Sequence, residues 1–138
     1  MRAAALLVAF AIALGASAQA APRPSCPLPA QKPMLVAQLF FGLSVKGRGP
    51  VTPREWRRFA DRVLTPHFPD GFTVYDGKGE WRNGSAGPII REDSKVLLVA
   101  GPDDAEFRAA ITAVADAYKQ EFGQLSVGVL TEPGCGAF

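Results

Sequence analysis

The sequence has few of the residues that metal sites and hydrolytic triads require. Its 138 residues include one histidine, His67, and two cysteines, Cys26 and Cys135. A soft-metal site needs several converging His, Cys or carboxylate ligands. A Ser-His-Asp triad would have to use His67 as its base, and no serine lies in a nucleophile-elbow context. The sequence therefore predicts no catalytic residue, no metal and no cofactor.

The chain also lacks concentrated positive charge. It has 15 lysines and arginines against 13 aspartates and glutamates, a formal net charge of +2, and the basic residues are scattered. Nucleic acid and anionic membranes call for a concentrated basic patch. We therefore expect no nucleic-acid partner and, once the amino-terminal segment is removed, no membrane partner.

The amino terminus lacks an apolar run long enough to cross a bilayer. Its run of about a dozen apolar residues is shorter than the roughly 20 that a spanning helix needs. Arg2 precedes the run and small residues follow it, the pattern of a secretory signal peptide. We predict a bacterial signal peptide over residues 1–21, cleaved after Ala18 or within the next three residues, and a periplasmic or secreted protein. A proline-rich arm (22–33) and one α+β domain (34–138) follow.

Both cysteines remain in the predicted mature chain. Two cysteines in an exported protein most simply form one disulfide, here Cys26 to Cys135, which ties the two termini together. A redox-active pair is the alternative, but catalytic dithiols usually occupy a compact Cys-x-x-Cys turn. We therefore favour a structural disulfide.

The first half of the domain predicts a strand and a helix. Residues 34–45 are rich in branched and aromatic side chains, which is typical of a strand. Thr52, followed three residues later by Glu55, forms a capping box at a helix start. Pro66 cannot donate a helical hydrogen bond, so the helix is expected to end near Leu64.

The second half predicts three more strands and a second helix. The strands fall at residues 72–76, 89–101 and 126–132. The glycines of "GKG" at 77–79 predict a tight turn or bulge, and Trp81 is placed on the arm beyond it. The second helix starts after a pair of aspartates and ends at Gly123.

The order strand, helix, strand, strand, helix, strand predicts a fold. With right-handed crossovers on a single sheet, this order gives the ferredoxin-like βαββαβ arrangement. We therefore expect an α+β domain with a four-stranded antiparallel sheet and two helices on one of its faces.

The predicted strands are apolar on both sides. Leu35 and Val36, for example, are adjacent in sequence, and their side chains therefore point to opposite faces of the sheet. Strands that are apolar on both sides are normally covered on both sides. We hypothesise a homodimer packed sheet to sheet, or else a ligand cleft lined by residues such as Gln38, Phe40 and Tyr75.

The segment "REDSK", Arg91 to Lys95, is the best remaining candidate site. Alternation would place Arg91, Asp93 and Lys95 on one face and Glu92 and Ser94 on the other. A carboxylate held beside a cation near Tyr75 or Trp81 is suited to bind a small polar ligand or to serve as a general base. The candidate ligand-binding residues are Arg91, Glu92, Lys95, Tyr75 and Trp81. The alternative, which we favour, is an ion-paired strand entrance that sets the register of the sheet.

Several motifs carry a resemblance to a known family. "FFGLS", "LTPHFPDGFTVYDGKGEWR", "IIREDSKVLLV" and "AYKQEFGQLSV" are similar to the domain-of-unknown-function family numbered 3574, small exported bacterial proteins. The resemblance spans roughly residues 39–127 and implies export and a single domain, without an activity. His67 stands where the family pattern "TPRFPDG" has arginine, which argues against a role for the imidazole.

Two function classes follow from the sequence. The first is a non-catalytic exported module that binds a small molecule of unknown identity or another envelope protein. The second is a small cofactor-independent enzyme of the dimeric ferredoxin-like type, with its cleft on the open sheet face. Because a nucleophile, base and metal ligands are missing from the expected contexts, we favour the first.

Overall fold

The computed structural model describes residues 25–82 and 84–138. In chain order, the elements are β1 (Lys32–Gly42), a first helix α1, β2 (Thr73–Arg82), β3 (Ile89–Gly101), α2 (Ala105–Phe122) and β4 (Gly128–Gly136). The helix α1 runs through three consecutive segments, Pro53–Phe59, the π-helical Ala60–Leu64, and Thr65–His67. The predicted signal peptide lies outside the described residues.

The four strands form one antiparallel sheet with the strand order β2-β3-β1-β4. β1 and β3 are its central strands, and a helix follows each of them in the chain. The predicted α+β class, the four-stranded antiparallel sheet and the two helices are confirmed.

The hydrophobic core lies between the sheet and the helices. Alternate residues of β1, from Leu35 to Phe41, are buried, and they share one core cluster with residues of β3, α1 and α2. Both helices therefore cover the same side of the sheet. The side chains in between point away from the helices to the other side, which we call the open face.

An aromatic cluster forms the centre of this core. The ring of Tyr118, on α2, is fully buried, with its centroid 4.7 Å from Phe41 and 5.2 Å from Phe59. Its hydroxyl donates a hydrogen bond of 2.8 Å to the carbonyl of Gly42, at the end of β1. Burial raises the pKa of the Tyr118 phenol well above its usual value. The cluster thus fixes α2 against the central strand.

The start of α1 agrees with the sequence. The Thr52 hydroxyl accepts from the backbone N–H of Glu55, and the Glu55 carboxylate accepts from the backbone N–H of Thr52 at 2.8 Å. This hydrogen bond lowers the pKa of Glu55. The predicted capping box is confirmed.

The predicted end of α1 near Leu64 is wrong, because the helix continues to His67. In the π-helical turn the N–H of Thr65 bonds to the carbonyl of Ala60, five residues back. A π turn is wider than an α turn, so the ring of Pro66 is accommodated without breaking the helix. The His67 ring nitrogen Nδ1 lies 2.8 Å from the Val63 carbonyl and donates to it.

The predicted turn at residues 77–79 is also wrong. β2 runs without interruption from Thr73 to Arg82 and includes both glycines and Trp81. Gly77 lies opposite Ser94, and a Cβ built on it would stand 2.8 Å from the Ser94 hydroxyl. Glycine at this position therefore serves close approach between strands rather than a change of chain direction.

The two remaining strands differ from the predicted bounds. β1 begins at Lys32, inside the predicted arm, and ends at Gly42 rather than at residue 45. β4 runs to Gly136 and includes Pro133. A proline is tolerated there because β4 is an edge strand, so its missing N–H interrupts no ladder on the outer side.

The disulfide between Cys26 and Cys135 is present, as predicted. It joins the segment before β1 to the end of β4, two strands that already pair along most of their length. Among the helices of the described chain, none is long and apolar enough to span a bilayer.

We predict that replacing both cysteines with serine lowers the free energy of unfolding by about 2–4 kcal/mol, because the 109-residue separation is no longer closed in the unfolded chain. Urea denaturation of the variant and of the reduced wild type measures this. The two proteins should unfold alike. A variant as stable as the oxidised wild type would show that the disulfide adds no constraint.

We predict that Tyr118→Phe costs about 1 kcal/mol of unfolding free energy at neutral pH, through the lost bond to Gly42. Above about pH 10 this difference should narrow. The folded pKa is raised, so the unfolded tyrosine loses its proton first and the wild type loses stability as pH rises. Urea titrations of both proteins at several pH values test this, and a constant difference would contradict it.

Candidate binding site on the open face of the sheet

The open face carries a mainly apolar layer of side chains, several of which are exposed. The layer contains Val36, Gln38 and Phe40 from β1, Tyr75 from β2, Val96 and Leu98 from β3, and Leu130 from β4. Phe40, Tyr75, Leu98 and Leu130 are each more than one third exposed. Within the described residues, no helix packs on this layer, because both helices lie on the other side. The face is therefore available to a partner or ligand.

One hydrogen bond crosses the centre of the open face. The Tyr75 hydroxyl donates to the Gln38 side-chain oxygen at 3.1 Å. Tyr75 is on β2 and Gln38 on β1, so the phenol reaches across β3. Val96, the β3 residue opposite Tyr75, is only 5% exposed as a result.

A second polar group on the open face centres on Glu92, near one end of β3. Its carboxylate accepts from the Trp81 indole N–H at 3.1 Å and from the backbone N–H of Ser44 at 3.2 Å. A Cβ built on Gly42 would stand 2.7 Å from the carboxylate oxygens. The carboxylate is thus held over the end of β1 by one group from β2 and one from the loop after β1.

Glycines leave bare backbone around Glu92 and Ser94. Gly79 lies opposite Glu92 and Gly77 opposite Ser94 in the pairing of β2 with β3, and Gly42 lies opposite Ser94 on β1. The three glycines therefore share the open face with the two polar side chains. We call Glu92, Ser94, Trp81 and these glycines the Glu92 site.

The remaining charges of the hairpin formed by β2 and β3 lie on the opposite side from Glu92. The Arg91 guanidinium contacts the Glu80 carboxylate at 2.8 Å, and Lys78 pairs with Asp93 and Lys95 with Asp76. Hydrogen bonding to Asp93 raises the pKa of Lys78. Each pair joins directly opposed residues of the two strands, so the ladder specifies their register.

The structure therefore divides the predicted ligand-binding residues into two groups. Glu92, Tyr75 and Trp81 lie on the open face, whereas Arg91 and Lys95 lie on the other side in ion pairs. Alternation along β3 produces this separation. Arg91 and Lys95 agree with the alternative prediction, in which ion pairs at the start of β3 set the register of the sheet. Glu92, Tyr75 and Trp81 remain candidates for a ligand-binding site.

Sequence reasoning missed Ser44, which donates to Glu92, and Ser94 and the three glycines of the Glu92 site. The contact of Ser44 with Glu92 joins residues 48 positions apart and has no local sequence signal. A signal for the glycines was available. Two glycines separated by one residue in a strand share one face and leave it bare.

His67 lies away from both groups, at the end of α1. It borders a shallow groove of about 440 Å³ that also contacts Asp70, Asp104 and Phe107. Because its Nδ1 donates to the Val63 carbonyl, the imidazole satisfies one of the last backbone acceptors of the helix. His67 is exposed, and its ring contacts the end of α1 rather than either polar group of the open face.

Two solved structures have a similar fold. A phage SAM lyase in complex with S-methyl-5'-thioadenosine matches with a TM-score of 0.59 and 15% identity, over 76% of this chain and 90% of that chain. A phage SAM lyase in the apo state matches with a TM-score of 0.55 and 16% identity, over 75% and 89%. At such identities the likeness concerns the fold alone.

Sequence comparison places the chain in a family. No curated protein matches it. Residues 36–138 match the family model described as Protein of unknown function (DUF3574). The matched range contains both helices, most of β1 and all of the other three strands. The chain therefore belongs to the DUF3574 family, as its motifs predict.

Proposed function

We propose that this protein is an exported, non-catalytic binding module that forms a homodimer through the open face. The observation that carries the proposal is the exposed apolar layer on that face. Burying a large apolar side chain contributes about 1.5–3 kcal/mol, so leaving several in water is costly. A partner surface that covers them recovers this free energy.

The size and charge of the open face support pairing with a second copy. The shortest of the four strands, β4, has 9 residues, so the sheet spans at least roughly 20 by 30 Å, a flat area of about 600 Å². Because side chains make the surface uneven, its accessible area is larger than this flat area and approaches the roughly 800 Å² per partner of a standard interface. The centre of the layer, at Gln38 and Leu98, carries no charged side chain, whereas Glu132, opposite Val36, and Glu92 lie toward opposite ends of the face. A two-fold axis near the centre therefore buries no charge there.

The sheet topology supports a ferredoxin-like assignment. Read from β4, the strand order is β4-β1-β3-β2, with every neighbouring pair antiparallel and one helix after each central strand. This is the order that a split βαβ arrangement with right-handed crossovers requires. Such a domain has one sheet face without helices.

Two features support export. Residues 1–21 have the charge, short apolar run and small residues of a signal peptide. The disulfide belongs to an oxidising compartment, such as the bacterial periplasm or the exterior. We therefore place the mature protein outside the cytoplasm.

The polar groups of the hairpin support a binding role over a catalytic one. The carboxylates of Asp76, Glu80 and Asp93 are each paired with a lysine or arginine on the neighbouring strand, so they serve the register of the hairpin. On the open face, Tyr75 is bonded to Gln38 and Glu92 to Trp81 and Ser44. These bonds orient groups that recognise a ligand.

A small enzyme with its cleft on the open face is the second candidate. Its support is the fold shared with two phage SAM lyase structures, one of which holds S-methyl-5'-thioadenosine. The cleft would use Gln38, Phe40 and Tyr75, which lie together on that face. In this reading the carboxylates on the same face are Glu92, near one end of β3, and Glu132, opposite Val36.

We predict that Leu98→Glu converts the protein from dimer to monomer, because a charge at the centre of the layer cannot be buried without a partner. Leu125→Glu is the matched control, since Leu125 is 91% exposed in the segment between α2 and β4, outside the open face. Sedimentation equilibrium of the three proteins measures the mass. A monomeric wild type, or a dimeric Leu98→Glu variant, would overturn the proposed pairing.

We predict that incubation with SAM yields no S-methyl-5'-thioadenosine above the level of heat-denatured protein, measured by liquid chromatography. The proposed role involves binding without bond cleavage. Turnover that is lost in a folded Tyr75→Phe or Glu92→Gln variant would replace this proposal with the enzyme.

A further inference from the structure

Glu92 is distinguished from the other acidic residues of its hairpin by its lack of a cation. The carboxylates of Asp76, Glu80 and Asp93 each lie within 4 Å of a lysine or arginine nitrogen. Across residues 25–82 and 84–138, no such pair includes Glu92. The Glu92 site thus presents one negative charge that these residues do not neutralise.

The two hydrogen bonds to Glu92 hold its carboxylate in place without saturating it. One oxygen accepts from the Trp81 indole and the other from the Ser44 backbone. An ionised carboxylate accepts about four hydrogen bonds, so about two acceptor positions remain for a donor from outside. A donor that approaches from the open face meets an acceptor that is already oriented.

Gly79 leaves space beside this carboxylate that internal packing does not require. A Cβ on Gly77 or Gly42 would come within 3 Å of the Ser94 hydroxyl or the Glu92 carboxylate, so one of these side chains would have to shift. A Cβ on Gly79 would meet only Glu92 atoms at 3.8 Å, an ordinary contact. Glycine weakens a strand, and in a strand interior it often marks close approach of a ligand.

Trp81 supplies an aromatic surface next to the same space. Its side chain is 43% exposed, and its indole N–H is engaged with Glu92, which restrains the ring. The face of an indole attracts a cation placed within about 6 Å of the ring centre. The carboxylate and the indole therefore favour the same kind of ligand charge.

We propose that the Glu92 site binds an organic ammonium ion carried on an apolar group. The ammonium donates to the Glu92 carboxylate and lies beside Trp81, while the apolar group occupies the space over Gly79. A single carboxylate supplies too few oxygens for Ca²⁺, which takes about 6–8, and an anion would be repelled. This inference rests on the proposed binding function and names its ligand class.

The test uses three probes that share one ring, namely phenethylammonium, 2-phenylethanol and phenylacetate. The protein has two tryptophans, Trp56 and Trp81, so its indole N–H resonances in a nitrogen-15 correlation spectrum are readily distinguished. We expect phenethylammonium to shift the Trp81 resonance saturably while Trp56, which is buried, stays unchanged. The neutral alcohol should bind about tenfold more weakly, and phenylacetate more weakly still.

Three variants test separately the carboxylate of Glu92, the net charge of the protein and the space over Gly79. Glu92→Gln should reduce the affinity for phenethylammonium to that for the alcohol. Glu80→Gln removes the same charge from the opposite side of the hairpin and should leave both affinities unchanged. Gly79→Ala should weaken both ligands by filling the space, with an equal or higher unfolding free energy, because the added methyl makes ordinary contacts and alanine weakens a strand less than glycine does.

Three results would each overturn the inference: no saturable shift of Trp81, equal affinity for the three probes, or unchanged preference in Glu92→Gln. These outcomes are independent of the dimer measurement. If the protein is a monomer that binds phenethylammonium through Glu92, only the proposed pairing is wrong. If it is a dimer that does not bind phenethylammonium, only the proposed ligand class is wrong.

Discussion

The constraint on which the rest of the structure depends is the alternation of side chains across the sheet, combined with helices on one side only. Alternate residues of β1 from Leu35 to Phe41 meet α1 and α2 and form the core with Tyr118 at its centre. Of the intervening residues, Val36 and Phe40 are apolar as well, but they point to a face without helices. One side of the strands therefore forms the core, and the other side is the one that we propose binds.

Local rules predict most of the elements. The capping box at Thr52, the left-handed glycine that ends α2 and the bounds of β3 follow from patterns within a few residues. The errors arise where distant contacts decide. A wider π turn carries α1 past Pro66, and pairing with β3 extends β2 through two glycines that by themselves resemble a turn.

The same distinction applies to the candidate site. Alternation alone separates Glu92 from Arg91 and Lys95. The partners of Glu92 come from elsewhere, since Ser44 reaches it from the loop after β1 and Trp81 from the neighbouring strand. Sequence could nominate the carboxylate, whereas only the fold shows that its neighbours are an indole, a backbone amide and bare glycine backbone. One side of β3 thus carries the ion pairs that set the register, and the other carries the site that we propose binds a ligand.

The central claim is that the open face is a covered surface in the working protein. Solvent paramagnetic relaxation of methyl protons measures this directly, with Leu98 and Leu130 as reporters and the exposed Leu125 as reference. The account predicts that the reporters are protected relative to Leu125 at high protein concentration and lose that protection on dilution. Reporters that relax as strongly as Leu125 at every concentration would show an uncovered face and contradict the account.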